Sequence, residues 1–275
     1  MDRVKGLKIL INYADDNFKK QQKKNTKSGL KLGGFDKVFE YGPDRISKEF
    51  NNKHSSFIKN NKKGGGFWIW KPYIILETLL NRSKEGDYIF YSDSGAIFIE
   101  SIDYLIEDLE RSKQEIFLTE IPLLEYQWTK RECFLELDCI ENKYLFSNQV
   151  QGGFILLKNS KMAIKFLQEY SRFCSNYNLI NDDRKLEINP DLIKHRHDQS
   201  ILSLLAKKWG LKFFRDISQY GVRPWQYIAP NRDYHIKSYN NSNYPQIVSL
   251  YRSDNWRKVL IKERVKDLIG CKLRY

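Results

Sequence analysis

The sequence predicts an α/β fold in which helices flank a mainly parallel sheet. Short apolar runs alternate along the chain with helical patterns, as they do in proteins built around parallel strands. Two of these runs, 7–13 and 88–91, are followed by acidic residues, which suits strands whose carboxyl ends form a binding site. No internal repeat or Gly/Ser linker divides the 275 residues. We therefore expect one catalytic domain over 1–250, followed by a basic helix over 251–275.

Composition indicates a folded protein with anionic partners. Apolar residues make up 41% of the chain and aromatic residues 14%, which is enough to build a core. The net charge of +13 favours nucleotides, nucleic acid, anionic lipids or acidic glycans as partners, although abundant surface lysine alone also produces such a charge. No apolar run reaches the ~20 residues of a membrane span, and the first residues show no signal peptide, so we expect a cytoplasmic protein with reduced cysteines.

The first half of the chain contains three strand patterns and one clear helix. The Lys-rich stretch 19–31 is either the solvated face of a helix or a basic loop. Gly64–Gly66 predicts a loop, and Pro72 suits the first turn of the helix that follows. The predicted strands are 7–13, 38–41 and 88–91, and the apolar face of the helix is expected to hold Tyr73, Leu76, Leu79 and Leu80.

The second half continues the alternation of strands and helices. The stretch 121–145 is less periodic, and we expect an irregular insert or short helices there. Ser160 has the position of a helix cap, and Gly210 that of a helix stop. The predicted elements are a helix over 102–111, a strand over 115–119, a strand over 154–157, a helix over 161–177 and a helix that begins at Asp198 or Gln199.

Polar residues after two buried strands are the main candidates for a binding site. The first strand ends in Tyr13-Ala14-Asp15-Asp16-Asn17, and the strand at 88–91 ends in Ser92-Asp93-Ser94-Gly95. Each acid, taken alone, is typical of a turn that caps a helix. Together they fit a magnesium or manganese nucleotide site, because such a site needs hard oxygen ligands on rigid elements.

Four segments together resemble the GT-A nucleotide-sugar glycosyltransferases, in particular bacterial lipopolysaccharide and capsule galactosyl- and glucosyltransferases. The resemblance covers about residues 7–210, with the segments in the family's order. A further block, Gly66-Phe67-Trp68-Ile69-Trp70-Lys71-Pro72, is similar to an element of capsule-type transferases. The four segments are the Tyr13–Phe18 turn, Tyr91–Gly95, Gln151–Asn159 and His197–Leu202.

The resemblance implies a UDP-sugar donor, a glycan or lipid-linked glycan acceptor, and Mn²⁺ or Mg²⁺ as cofactor. It places uridine near the first turn, the metal or the ribose and phosphate at the second segment, the donor sugar at the third and the reacting centre at the fourth. Lys71 would hold a phosphate as a point charge. The implied residues are Tyr13, Asp15 and Asn17 for the nucleotide, Asp93 and His235 for the metal, Ser94, Gln151, Gly152 and Gly153 for the donor, and Asp198 and Gln199 for catalysis.

The chain also departs from the family pattern at three places. The second acid of the D-x-D motif is replaced by Gly95, the D-Q-D motif has become Asp198-Gln199-Ser200, and Gln151-Gly152-Gly153 replaces N-A-G. Paired glycines still suit a strand that passes close beneath a sugar ring, since a Cβ has no room there. Metal binding by His195 and His197 is disfavoured, because His-x-His lacks a nearby third ligand.

The function predicted from the sequence is transfer of a hexose, or a related sugar, from a UDP-sugar in surface polysaccharide synthesis. The stereochemistry stays open: an inverting enzyme would use Asp198 as the base, whereas a retaining one needs only a front-face arrangement. One alternative is a sugar-phosphate nucleotidyltransferase, but the Gly-rich basic loop expected after the first strand is missing. A nucleic-acid-binding module would explain the charge and the aromatic residues, but not the acids at strand ends.

The end of the chain predicts a membrane contact. Residues 256–275 contain seven basic residues against two acidic ones. At helical spacing, an apolar stripe of Trp256, Leu260, Ile261, Val265, Leu268 and Ile269 would lie in the head-group plane of an anionic bilayer. The alternative is that this stripe packs against the catalytic domain while the charges face water.

Overall fold

A computed structural model describes residues 6–183, 185–186, 189–251 and 255–269 of the chain, without the side chain of residue 267. Within this range, no helix has the length and apolar character needed to cross a bilayer. The predicted basic residues Lys272 and Arg274, and Cys271, lie outside the described residues.

The described chain contains ten strands, which belong to three sheets. They are β1 (Lys8–Tyr13), β2 (Lys37–Tyr41), β3 (Tyr88–Ser92), β4 (Ala96–Phe98), β5 (Ile116–Phe117), β6 (Thr119–Leu124), β7 (Asn148–Val150), β8 (Phe154–Lys158), β9 (Phe214–Arg215) and β10 (Val248–Leu250).

The helices range from one turn to fourteen residues. They are α1 (Lys19–Ser28), α2 (Lys48–Asn60), α3 (Gly64–Phe67), α4 (Trp70–Asn81), α5 (Asp103–Ser112), α6 (Glu125–Trp128), α7 (Arg131–Glu136), α8 (Asn142–Leu145), α9 (Lys161–Cys174), α10 (Tyr177–Ile180), α11 (Asp198–Lys208), α12 (Gln219–Val222) and α13 (Trp256–Leu268).

The predicted α/β fold with a mainly parallel sheet is confirmed. The central sheet has the order β2-β1-β3-β8-β5. β1 pairs in parallel with both β2 and β3, whereas β8 runs antiparallel to β3 and β5. Four of the five strands therefore run in one direction. Two small sheets, β10-β4 and β7-β6-β9, extend this core.

Both faces of the central sheet are covered, which explains why its strands are continuous apolar runs. Successive side chains point to opposite faces. Ile9 and Ile11 contribute to the core cluster that contains α4 and α9 residues, whereas Leu10 contributes to the cluster that contains α5 residues. All three side chains are fully buried. Burial on both faces holds the strands in place, so the positions of the polar residues that follow each strand are also determined.

The predicted helices are present, although α2 was not predicted, the loop predicted at Gly64–Gly66 falls in α3, and two details of α9 and α4 differ. Ser160 caps α9 by accepting a hydrogen bond from the amide of Ala163, as predicted, but α9 ends at Cys174 rather than at 177. The apolar face predicted for α4 is wrong at Leu80, which is 51% exposed. The buried face begins earlier in the helix, at Lys71, and its members recur at the three- and four-residue intervals of one helical face. They are Lys71, Ile74, Ile75, Thr78 and Leu79.

The C-terminal helix α13 has apolar residues on two opposite faces, so the single stripe predicted from the sequence is wrong. A helical turn of 3.6 residues places Trp256, Leu260 and Glu263 on one face, and this face is at least partly covered. Glu263 on that face pairs with the buried Arg223, at 3.1 Å. The opposite face is exposed and holds Ile261, Val265, Leu268 and Ile269.

Candidate functional site

The candidate site lies where β1 and β3 end. The hydroxyl of Ser94 donates a hydrogen bond to the carbonyl oxygen of Tyr13, at 2.6 Å. The amide of Asp93 donates to the carbonyl oxygen of Gly153, at 2.9 Å. Three of the segments singled out in the sequence therefore meet at one point, and Ser94 serves here as a buried link between strand ends.

Lys71 lies at the centre of the site. Its side chain is 4% exposed, which rules out the exposed surface lysine that is common before a helix. The ammonium lies 2.7 Å from Oδ2 of Asp198 and 3.8 Å from Oδ1 of Asp93. It also donates to the carbonyl oxygen of Gly152, at 3.0 Å. One buried cation thus joins the start of α4, the end of β3, the glycine pair and the start of α11.

A left-handed turn before α4 brings Lys71 into the core. Gly64, Gly65 and Gly66 all have positive φ, and so do Phe67 and Trp68, for which this conformation is costly. Trp70 is buried, stacks on Tyr13 with ring centroids 3.6 Å apart, and donates its indole N–H to the carbonyl oxygen of Gly64. Trp70 therefore belongs to the core and fixes the first turn of α4 against the end of β1.

The electrostatics of the Lys71–Asp198 pair are set by burial. Burial raises the pKa of Asp198 to about 6, and the neighbouring ammonium limits this rise. Burial works to lower the pKa of Lys71, but the carboxylates of Asp198 and Asp93 outweigh it, so the pKa of Lys71 is raised. At neutral pH the site therefore holds one ammonium and two carboxylates, with a net charge of −1.

Asp93 is the accessible acid of the site. Its side chain is 46% exposed, against 4% for Asp198. The hydroxyl of Tyr91 donates to Oδ1 of Asp93 at 2.7 Å, and burial raises the pKa of Tyr91 well above its usual range. Tyr91 was assigned to the sheet core in the sequence analysis, and nothing in its apolar surroundings indicated that its hydroxyl orients an acid.

Gly152 and Gly153 form a floor from which side chains are excluded. A Cβ on Gly153 would lie 3.1 Å from Oδ2 of Asp93, and one on Gly152 would lie 3.1 Å from Cβ of Gln199. Both distances are tighter than ordinary contacts, so Asp93 and Gln199 leave little room for a Cβ on either glycine. The approach of a sugar ring to these glycines stays a prediction. The neighbouring Gln151 is held by a hydrogen bond from the hydroxyl of Thr119, at 3.3 Å.

The predicted catalytic pair, Asp198 and Gln199, lies at the start of α11. The cap position of α11 is His197, which makes no side-chain cap bond, so Asp198 is the first helical residue rather than the cap. Gln199 accepts a hydrogen bond from the amide of Gly152 at 3.2 Å and donates to the side chain of Gln149 at 2.7 Å. Gln199 therefore links α11 to the glycine floor.

His197 shapes the site through its backbone. Its φ of 53° and ψ of −121° are rare outside glycine. The ring holds this conformation: its Nδ1 bonds to the carbonyl oxygen of Ile180 at 2.8 Å, and it stacks on Phe67. His195 bonds through its Nε2 to the carbonyl oxygen of Leu179, and burial lowers its pKa as well. Burial lowers the pKa of His197 to about 4, so both rings serve as neutral core residues.

Tyr13, Asp15 and Asn17 lie at the edge of the site. Oδ1 of Asp15 accepts a hydrogen bond from the amide of Asn17 at 3.0 Å, which is the geometry of a local turn. Asn17 is exposed and Asp15 half-buried. The hydroxyl of Tyr13 lies 3.8 Å from the position of a Cβ on Gly65. The side-chain amide of Asn17 also donates to Oδ2 of Asp15, at 3.5 Å, and the predicted contact of these residues with a nucleotide stays a prediction.

His235 lies on the wall of a cavity of about 330 Å³. Asn148 and Asp216 are also in its lining. Glu120 is paired there with Lys237, at 2.9 Å. Glu120, Asn148 and Asp216 were not predicted as site residues, because isolated acids and amides have no distinctive spacing in the sequence.

Few ligands are available for the metal ion predicted at Asp93 and His235. In the described part of the chain, no three His, Cys, Asp or Glu side chains come together in a group that would hold an ion. Asp93 is not among the residues that line the cavity at His235. The position of the second D-x-D acid is occupied by Gly95.

Comparison with known proteins gives structural neighbours only. No protein-family model and no curated protein matches the sequence. The galactosyltransferase LgtC, in a complex with donor and acceptor sugar analogs, is 15% identical over 97% of each chain, with a TM-score of 0.46. Mouse xyloside xylosyltransferase 1 is 10% identical, with coverage of 89% of this chain and 97% of that one and a TM-score of 0.46.

A third neighbour is the glycosyltransferase GlyE of Streptococcus pneumoniae TIGR4. It is 15% identical and has a TM-score of 0.41, and the match covers 95% of this chain and 64% of that one. These neighbours are all glycosyltransferases, and the chain is similar to them in fold.

Proposed function

We propose that the protein is a glycosyltransferase that transfers a hexose or related sugar from a UDP-sugar to a glycan acceptor. One observation carries this proposal: Lys71, Asp93, Gly152 and Asp198, from four segments distant in sequence, meet around one buried ammonium. Carboxylates beside a pair of glycines suit a polyhydroxylated ring, because its hydroxyls can donate to the acids.

The proposed reaction needs a held donor and a stabilised leaving group. The bond between the anomeric carbon and the diphosphate oxygen breaks, and UDP leaves with the electron pair. The acceptor hydroxyl oxygen bonds to that carbon, and its proton passes to a carboxylate or to the departing phosphate. In this proposal the exposed carboxylate of Asp93 meets the donor, while Asp198 holds the Lys71 ammonium. Catalysis would come mainly from positioning and electrostatics.

The cavity beside His235 is the proposed acceptor site. Asn148 in its wall precedes Gln151 by three residues along extended chain, so about 10 Å separates the cavity from the glycine floor. Glu120, Asn148 and Asp216 bring hydrogen-bond acceptors to the lining of this cavity, and sugar hydroxyls are donors. Tyr220 and Pro224 add apolar surface. This mixture is typical of carbohydrate sites.

The two alternative functions gain less support from the site. In a nucleotidyltransferase the loop after β1 would be Gly-rich and basic, but here Asp15 and Asn17 form a short turn directly before α1. A nucleic-acid-binding module gives no reason for two carboxylates around a buried Lys71. We therefore propose no nucleic-acid partner.

Binding of UDP should raise the melting temperature of the protein. A ligand that binds only the folded state stabilises it by mass action, by about 2.7 kcal/mol at a hundred times the dissociation constant. We expect a clear shift with UDP, and none with AMP or CMP at equal concentration, in a thermal-shift assay. Equal shifts with all three nucleotides would contradict a uridine diphosphate site.

We also propose that the exposed face of α13 contacts an anionic membrane, which would bring the enzyme to a lipid-linked acceptor on the inner side of the bilayer. The exposed fractions are 62% for Ile261, 47% for Val265, 86% for Leu268 and 68% for Ile269. These residues follow the i, i+4, i+7, i+8 spacing of one helical face. Basic side chains flank them and are all exposed: Arg257, Lys258, Lys262 and Arg264.

Replacing Ile261, Val265 and Leu268 together by serine should abolish binding to liposomes that contain phosphatidylglycerol. The loss is expected because these side chains provide the buried apolar area, while each flanking basic residue adds about 1 kcal/mol. Co-sedimentation at low and high salt measures it. A control replaces the exposed Leu135 and Ile140, whose neighbours in sequence include the acids Glu136, Asp138 and Glu141 in place of basic residues. Unchanged sedimentation of the α13 variant would contradict this contact.

A further inference from the structure

The oxygen atoms around Asp93 suit a fixed ammonium better than a divalent ion. Oδ1 of Asp93 already accepts a hydrogen bond from Tyr91 and lies 3.8 Å from the Lys71 ammonium. A metal ion bound to Asp93 would also lie close to the Lys71 ammonium, and repulsion by this cation would offset part of the attraction of the two carboxylates.

The residue two positions later supplies no ligand in compensation. Gly95 has no side chain, and its carbonyl oxygen accepts a hydrogen bond from the amide of Tyr251 at 3.0 Å. Mn²⁺ and Mg²⁺ need several hard oxygen ligands. A single carboxylate beside a cation provides too few of them to bind either ion well. In the residues that the structure describes, no third acid or histidine joins Asp93 to form a group.

Lys71 has the position and the charge to replace a divalent metal ion in the site. It is buried, its pKa is raised, and it is held by Asp198, Asp93 and the carbonyl oxygen of Gly152. A metal would join two carboxylates across the site in the same way. The ammonium keeps the carboxylates together before any ligand arrives, so the site is ordered without a cofactor.

We infer that this protein binds its nucleotide-sugar donor without a divalent metal, because the Lys71 ammonium occupies the role of the ion between Asp93 and Asp198. This inference rests on the proposed function, since it concerns the same donor site. It departs from the sequence-based expectation that Asp93 and His235 hold Mn²⁺ or Mg²⁺.

Isothermal titration of UDP into the whole protein tests the inference, once in EDTA and once in Mn²⁺. We expect dissociation constants that agree within about threefold. Binding that needs Mn²⁺, or that tightens tenfold or more in Mn²⁺, would overturn the inference and leave the donor assignment intact. Absence of UDP binding in both buffers would contradict the donor assignment, and the inference with it.

The variant Gly95→Asp provides the matched comparison, because it restores the second acid of the D-x-D motif. We expect UDP to bind this variant at least threefold more tightly in Mn²⁺ than in EDTA, with a melting curve near that of the wild type confirming the fold. If the variant binds UDP equally in both buffers, the missing carboxylate does not decide metal dependence, and that step of the inference is wrong.

Discussion

Replacing Asp198 with asparagine should lower turnover by at least about 10²-fold, equivalent to about 2.7 kcal/mol of transition-state stabilisation. Asparagine keeps the size of the side chain and an oxygen for the Lys71 ammonium, 2.7 Å away in the wild type, but it removes the charge. Lys71 would then face Asp93 as its only carboxylate partner. A shift of the ammonium toward Asp93 would displace the acid that meets the donor. Steady-state kinetics with a UDP-sugar measure this loss.

The pH profile separates a role in the reaction from a role in folding. Burial raises the pKa of Asp198 to about 6, so wild-type turnover should fall as the pH drops through 6, when the carboxylate takes up a proton. Stability should show the opposite trend, because a raised folded-state pKa favours the protonated form, and that contribution is lost as the pH rises through about 6. Burial also raises the pKa of Asp216 to about 6. The acid limb should therefore persist in Asp216→Asn and vanish in Asp198→Asn; the reverse pattern would contradict the assignment.

Replacing Asp93 with asparagine should reduce turnover to less than a tenth of the wild type and leave the fold intact. Asparagine still accepts the hydrogen bond from Tyr91, so no buried hydroxyl loses its partner. The side chain is 46% exposed, which limits the cost to stability. What is lost is the one accessible negative charge at the glycine floor. Activity above a tenth of the wild type, a loss under about 1.4 kcal/mol, would show that the donor lies elsewhere.

A matched control for this variant is Asp103→Asn. Asp103 also pairs with a lysine, Lys8, at 2.8 Å, and its side chain is 42% exposed. Lys8 is the first residue of β1, so this pair lies at the end of the sheet opposite to the site. We expect near-normal turnover for the control, since a partly exposed ion pair contributes little. Comparable losses in both variants would point to a general effect of charge removal.

The sequence allowed the fold and most of the site to be predicted, because both depend on local patterns. Buried strands appear as continuous apolar runs, and the residues after them are placed at the sheet edge by topology alone. Asp93, Gly152, Gly153 and Asp198 meet in the structure as the resemblance implied. Lys71 was included among the site residues, but its burial depends on the left-handed turn before α4, which three glycines make possible.

Other features depend on tertiary contacts that leave no local pattern. The ψ of His197 results from packing on Phe67 and a bond to Ile180, which are distant in sequence. The two opposite faces of α13 differ in burial, because one face packs against the protein, where Arg223 pairs with Glu263. The single stripe was predicted from the apolar residues alone. The sequence does not show that Glu263, which lies among them, is buried beside Arg223.

Slow hydrolysis of the donor, in the absence of any acceptor, is the most direct measurement of the central claim. Water then replaces the acceptor hydroxyl, so the assay requires only the donor site around Lys71, Asp93 and Asp198. We predict that the wild type releases UDP from a UDP-hexose, and that Asp198→Asn and Asp93→Asn release it at least about tenfold more slowly. No release from any UDP-, GDP- or CMP-sugar, or equal release by the wild type and both variants, would contradict the account.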